Sequence, residues 1–182
     1  MRPIGYLYKN VSPRPEWIQA AGVVDVYSLS DCVSGNFADY IGYWRHNGYW
    51  LFDDPATMEA LAVEHGIPLA RATLFYFEAF EQQFDDESGA WSAFGPDPSF
   101  ATDVVPPGRR TLEGYDVASF ALGNMPECSP LSCNGRASDV ATNAHCLFRT
   151  FDQARLAIES GRLAGSEPGP FRIVAVYSVD AR

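Results

Sequence analysis

The chain has 182 residues, a formal charge of −10 and a pI near 4.6. A surface of that sign repels phosphate backbones and anionic bilayers, which excludes nucleic-acid or membrane binding through a basic patch. Hydrophobic residues at 47% and aromatics at 14% exceed what disordered chains carry, so a packed core is expected.

The length suits one domain over residues 1–182. The first ten residues lack the apolar core of an export signal, and no run of eighteen apolar residues exists. A reducing, cytoplasmic location is therefore expected, where the four cysteines serve as thiols, metal ligands or core residues rather than disulfides. Lys9 is the chain's one lysine.

In chain order, residues 4–8 predict a short strand, broken by the prolines at 13 and 15. Residues 16–21 predict a short helix behind Pro15, stopped by Gly22, and residues 23–29 a β-branched strand. An aromatic stretch over residues 37–52 follows, with an Asn47-Gly48 turn leading into a strand over residues 49–52. Pro55–His65 reads as a helix: Asp54 caps it, Pro55 suits its first position, Met58, Leu61 and Ala62 share a face, and Gly66 ends it.

Residues 73–80 predict a largely buried strand, and residues 85–107 a long acidic and then proline-rich excursion. A strand over residues 115–122 precedes a loop at 125–142. Thr150 caps a helix over residues 151–160, with Gln153 placed as in a capping box, and Phe171–Val179 reads as a central strand. The pattern predicts an α+β domain, with a mixed or mainly antiparallel sheet of five or six strands packed with two or three helices. No internal repeat is legible.

Residues 128–146 gather three of the four cysteines and one of three histidines. Cys128, Cys133, His145 and Cys146 offer a sulfur and nitrogen set of the kind zinc takes. The weak point is the adjacent His-Cys pair, which can ligate together only from a loop. A catalytic thiol is a second reading, with Cys133 as nucleophile, His145 or His46 as base and Asn143 or Asp139 orienting it. The turn at Asn134-Gly135 would then hold an oxyanion on backbone N–H groups. A reversible Cys128–Cys133 disulfide is a third. Against all three stands the reading of small hydrophobes buried under a loop, with Cys32 in the core unless folding brings it to the same place.

Trp44, Arg45 and His46 form a second constellation, suited to a small-molecule ligand with a carboxylate or phosphate, or to an exposed hairpin turn. Glu78, in an apolar strand, and Glu81 are carboxylates that burial can turn into acid–base groups. Nucleotide-binding, zincin and α/β-hydrolase motifs are absent. Two functional expectations remain. One is a small acidic binding protein, of immunity or inhibitor type by charge and size alone, that masks a basic protein partner through acidic and aromatic residues at 84–100. The other is a thiol- or metal-thiolate-dependent enzyme using Cys128, Cys133, His145 and Cys146.

Overall fold

A computed structural model describes residues 1–30, 32–33, 47–95, 102–120 and 128–180. The fold is α+β. Its elements are β1 (Arg2–Lys9), β2 (Ser12–Pro13), β3 (Asp25–Val26), α1 (Pro55–His65), β4 (Thr73–Ala79), β5 (Gln82–Asp85), β6 (Ala90–Ala93), β7 (Arg110–Ser119), a 3-10 turn (Arg136–Ser138), α2 (Phe151–Glu159) and β8 (Phe171–Val179). Among the described residues they build an antiparallel six-stranded sheet, a two-stranded ladder of β2 and β3, and two α-helices.

The order β1–β4–β8–β7 forms the body of the sheet, and the β5–β6 hairpin continues the edge of β4 along β8. Both helices start as their sequences demand. Asp54 accepts from the Thr57 N–H at 2.8 Å, and Thr150 from the Gln153 N–H at 3.2 Å. Gln153 returns the favour one residue early, accepting from Arg149 N–H rather than from the cap itself. Met58, Leu61 and Ala62 bury one face of α1; Ala154, Ala157 and Ile158 do the same for α2.

Three sequence expectations change. Residues 16–21 form turns rather than a helix, because Trp17 reaches out to donate to the Ser132 carbonyl at 2.8 Å and Gln19 N–H donates to Ser138 Oγ. The strand over residues 23–29 shrinks to Asp25–Val26. There it pairs with β2, while the N–H groups of Val24, Asp25, Tyr27 and Leu29 are taken by the Ala144 and His145 carbonyls and by Asp116. Residues 49–52 are a turn in which only Phe52 bridges to Tyr6.

A fourth expectation, the absence of a repeat, is overturned by the pairing registers. Gly5, Tyr6 and Leu7 oppose Phe77, Tyr76 and Phe75, while Gly114, Tyr115 and Asp116 oppose Val176, Ala175 and Val174. Each outer strand has its register shift just before the glycine. Beside each glycine runs the same turn. Asn47 Oδ1 accepts from Tyr49 and Leu51 N–H and its amide donates to the Ile4 carbonyl; Asn143 Oδ1 accepts from His145 and Leu147 N–H and its amide donates to the Glu113 carbonyl. Trp50 and Cys146 take the same left-handed conformation, with φ 59° and 61°. Phe52 bridges Tyr6, and Phe148 bridges Tyr115. A helix begins at Pro55 in one copy and Phe151 in the other.

The described residues thus contain two similar halves, β1–α1–β4 and β7–α2–β8, each an antiparallel strand pair with a helix between its strands in sequence, related by a pseudo-two-fold axis between β4 and β8. The glycines are required by this arrangement. At Gly5, φ is +142° and a Cβ would lie 2.6 Å from Leu51 Cβ; at Gly114, φ is +153° and a Cβ would lie 2.7 Å from the Phe148 carbonyl oxygen.

Candidate metal centre

The pseudo-symmetry exposes where the second half departs from the first. Ile4, Leu7, Tyr49 and Trp50 of the first half are matched by Glu113, Asp116, His145 and Cys146. Apolar positions in one copy carry ionisable groups in the other.

Asp116 is the most demanding of these, a fully buried carboxylate in the middle of β7. It accepts four hydrogen bonds. Oδ2 takes Ser28 Oγ at 3.0 Å and Leu29 N–H at 2.9 Å, while Oδ1 takes Ser129 Oγ at 2.5 Å and Val117 N–H at 2.9 Å. Burial pushes its pKa up, and the hydrogen bonds from Ser129, Leu29 and Ser28 pull against that shift. One side chain therefore ties two remote segments together: residues 28–30 and the turn that begins at Cys128.

Lys9 clamps residues 28–30 from their other side. Its ammonium is buried and donates to the carbonyls of Ser28, Leu29 at 3.2 Å and Ser30 at 2.6 Å. Ser30 Oγ then accepts from the Cys32 N–H at 3.2 Å and lies 3.3 Å from Cys133 Sγ. On the other segment, the Cys128 carbonyl accepts from Ser119 N–H at the end of β7, and Cys133 N–H donates to the Ser129 carbonyl.

These anchors bring Cys32, Cys128 and Cys133 together, with their sulfurs all within 4.8 Å of one another. Cys32 and Cys128 are 96 residues apart in sequence, yet their Sγ atoms lie 3.1 Å apart. Cys32 is exposed, and Cys128 and Cys133 are half-buried. Burial pushes the Cys133 thiol up to about 11, with the neighbouring Cys32 adding to the shift and the Ser30 hydrogen bond opposing it. Cys128 is pushed higher still, by burial first, then by the Cys32 contact and by the charges of Cys133 and Glu167. A proton or a bound metal ion can satisfy sulfurs that burial disfavours as free thiolates.

Of the residues singled out from sequence, Cys128 and Cys133 are brought together and Cys32 joins them. His145 goes elsewhere: its Nδ1 lies 2.6 Å from Asp25 Oδ1, its Nε2 3.9 Å from Glu113 Oε2, and its ring stacks on Tyr27 at 4.1 Å. Asn143 is spent on the turn described above. Cys146 is buried beneath it, and burial pushes its thiol up to about 12. The N–H of Cys133 is committed to Ser129, and the Asn134 amide binds Ser166 O and Glu167. Trp44, Arg45 and His46 lie outside the described residues.

Glu78 is nearly buried. It accepts from the hydroxyls of Tyr76 at 2.9 Å and Tyr177 at 3.1 Å, and Arg110 sits 3.4 Å away over both rings. Glu81 is exposed. Phe84 and Phe94 are buried and Trp91 packs edge-on against Phe80 and Phe84, so these members of the acidic and aromatic 84–100 segment face the core.

Among the described residues, no helix is long and apolar enough to cross a membrane. Sequence reasoning underrated Cys32 and passed over Asp116; a carboxylate inside the small, apolar run of β7 was the available signal. No protein-family model matches the chain, and no curated protein or solved structure matches it either.

Proposed function

We propose that the protein binds one thiophilic divalent cation, zinc foremost, through Cys32, Cys128 and Cys133, and that its activity resides at this metal-thiolate centre in the cytoplasm. The observation that carries the reading is the convergence of three sulfurs from two remote segments that a single buried carboxylate staples together. Sulfurs around a tetrahedral zinc ion sit about 3.8 Å apart, given Zn–S bonds of about 2.3 Å. The spacing of the three thiols suits that ion, and the donor set suits soft rather than hard cations. Exposed Cys32 gives the ion a way in.

The three donors found among the described residues match the number in catalytic zinc sites, where the fourth position is left to water or substrate. When bound, such an ion supplies Lewis acidity to an oxygen at that position. The chain's own part is to hold the sulfurs: Asp116 and Lys9 fix residues 28–30, Ser129 fixes the start of the Cys128 turn, and Ser30 steadies both Cys32 and Cys133.

The test is elemental analysis of untagged protein purified without chelator, together with serine variants of each thiol. About one zinc per chain is expected, lost in Cys32→Ser, Cys128→Ser and Cys133→Ser and retained in Cys146→Ala. Metal-free wild-type protein that takes up no zinc on titration would overturn the reading.

A further inference from the structure

We infer that Cys32 and Cys128 are a redox couple that reduces peroxides and closes reversibly to a disulfide. The inference uses sulfurs of the proposed metal site but needs no metal, because the dithiol exists in the metal-free chain.

Three observations support it. The Cys32 and Cys128 Sγ atoms are 3.1 Å apart, so bond formation needs an approach of only about 1 Å to the disulfide length. Cys32 is exposed where its partner is half-buried, so an oxidant in solution meets Cys32 first. Each cysteine has one backbone group held: Cys32 N–H by Ser30 Oγ, and the Cys128 carbonyl by Ser119 N–H. The pair therefore stays in register while one sulfur is oxidised. Cys133, bonded to Ser30 Oγ, is the third thiol of the group, within 4.8 Å of the other two.

The chemistry balances as follows. The Cys32 thiolate attacks a peroxide oxygen, the O–O bond breaks, and an alcohol or water leaves with a proton from solvent, giving a sulfenic acid. Cys128 attacks that sulfur, the S–S bond forms, the S–O bond breaks and water departs. Two thiols are oxidised and one peroxide is reduced. A small-molecule thiol in excess returns the pair to the dithiol by exchange, itself leaving as a disulfide. A metal ion held by these sulfurs and the disulfide exclude one another, so peroxide releases the metal from loaded protein.

The experiment treats reduced, metal-free, full-length protein with one equivalent of hydrogen peroxide, blocks remaining thiols, and maps cross-linked peptides by mass spectrometry without reductant. The expected product joins Cys32 to Cys128, leaves Cys133 and Cys146 alkylated, and reopens with dithiothreitol. In Cys128→Ser, the Cys32 sulfenic acid is expected to persist and be trapped by dimedone; in Cys32→Ser, peroxide consumption falls at least tenfold. Over-oxidised Cys32 without a cross-link, or a Cys128–Cys133 or Cys32–Cys133 product instead, would overturn the inference. Zinc uptake by the reduced protein is measured on the same batch. Uptake without the cross-link sinks the redox couple alone, and the cross-link without uptake sinks the metal reading alone.

Discussion

Asp116 is where a single side chain matters most. Four donors converge on a carboxylate with no exposure to water, and its counterpart in the other half, Leu7, shows that the strand position needs no charge to fold. Replacing it with leucine restores the apolar form of the site but strands the Leu29 and Val117 N–H groups and the Ser28 and Ser129 hydroxyls. Buried unsatisfied donors cost about 1–3 kcal/mol each, with the hydroxyls able to turn elsewhere, so Asp116→Leu is expected to lose about 3–5 kcal/mol of stability. Chemical denaturation checks this. Asp116→Asn keeps the shape and part of the bonding; it should fold and bind zinc about 10- to 100-fold more weakly, as loss of outer-shell support typically does. Unchanged zinc affinity in Asp116→Asn would mean that the carboxylate holds the fold but not the thiols.

At the scale of elements, the paired Asn turns explain how each helix is set against its outer strand. Each Asn side chain serves two N–H groups and one carbonyl, Asn47 donating also to Asp53 Oδ1 at 2.9 Å, and each turn includes one left-handed residue. The equivalence predicts matched effects. Asn47→Ala and Asn143→Ala should each destabilise by about 2–4 kcal/mol, and within about 1 kcal/mol of one another. Thermal melts of the two variants are the comparison; a neutral Asn47→Ala would contradict the equivalence.

The same elements show what was legible in the sequence. Pro55–His65, Phe171–Val179 and the Thr150-capped helix were readable because their signals are local: caps, a proline, a glycine stop and an alternating pattern. Residues 16–29 were not, since several of their partners, Ser132, Ser138, Ala144, His145 and Asp116, lie more than 80 positions away. The clustering of Cys128 and Cys133 in sequence marked two of the three thiols that converge. Cys32 carried no local mark, because its place depends on a clamp between Lys9 and Asp116. The repeat was hidden by unequal spacing: Gly5 to Asn47 is 42 positions and Gly114 to Asn143 is 29, and the shared residues are short scattered pieces such as Gly-Tyr and Asn-x-x-x-Leu-Phe.

For the whole molecule, the pseudo-two-fold axis joins the halves through five paired positions between β4 and β8. The long loop of the first half also reaches into the second, giving Val24 and Asp25 N–H to Ala144 O and Tyr27 N–H to His145 O. Neither half closes its core without the other, so unfolding is expected as one cooperative transition with calorimetric and van't Hoff enthalpies equal. Two separated transitions would show that the halves are independent. The duplication also divides labour. The first half keeps the apolar version of each turn, while the second carries the buried acid, the His145 cluster and two of the three clustered thiols.

The central claim is that three particular thiols take one soft cation in place of their protons, and a cobalt(II) titration of the reduced wild-type protein at two pH values tests it most directly. Burial holds Cys128 and Cys133 protonated through neutral pH, so binding must release protons, and affinity must rise with pH while those thiols remain protonated. The account predicts saturation at about one cobalt per chain, with sulfur-to-metal charge-transfer absorption and the visible bands of a tetrahedral ion. Affinity is also expected to strengthen by as much as about a hundredfold per pH unit for the protons displaced from Cys128 and Cys133. Cobalt that stays octahedral, without sulfur charge transfer and with affinity indifferent to pH, would contradict it.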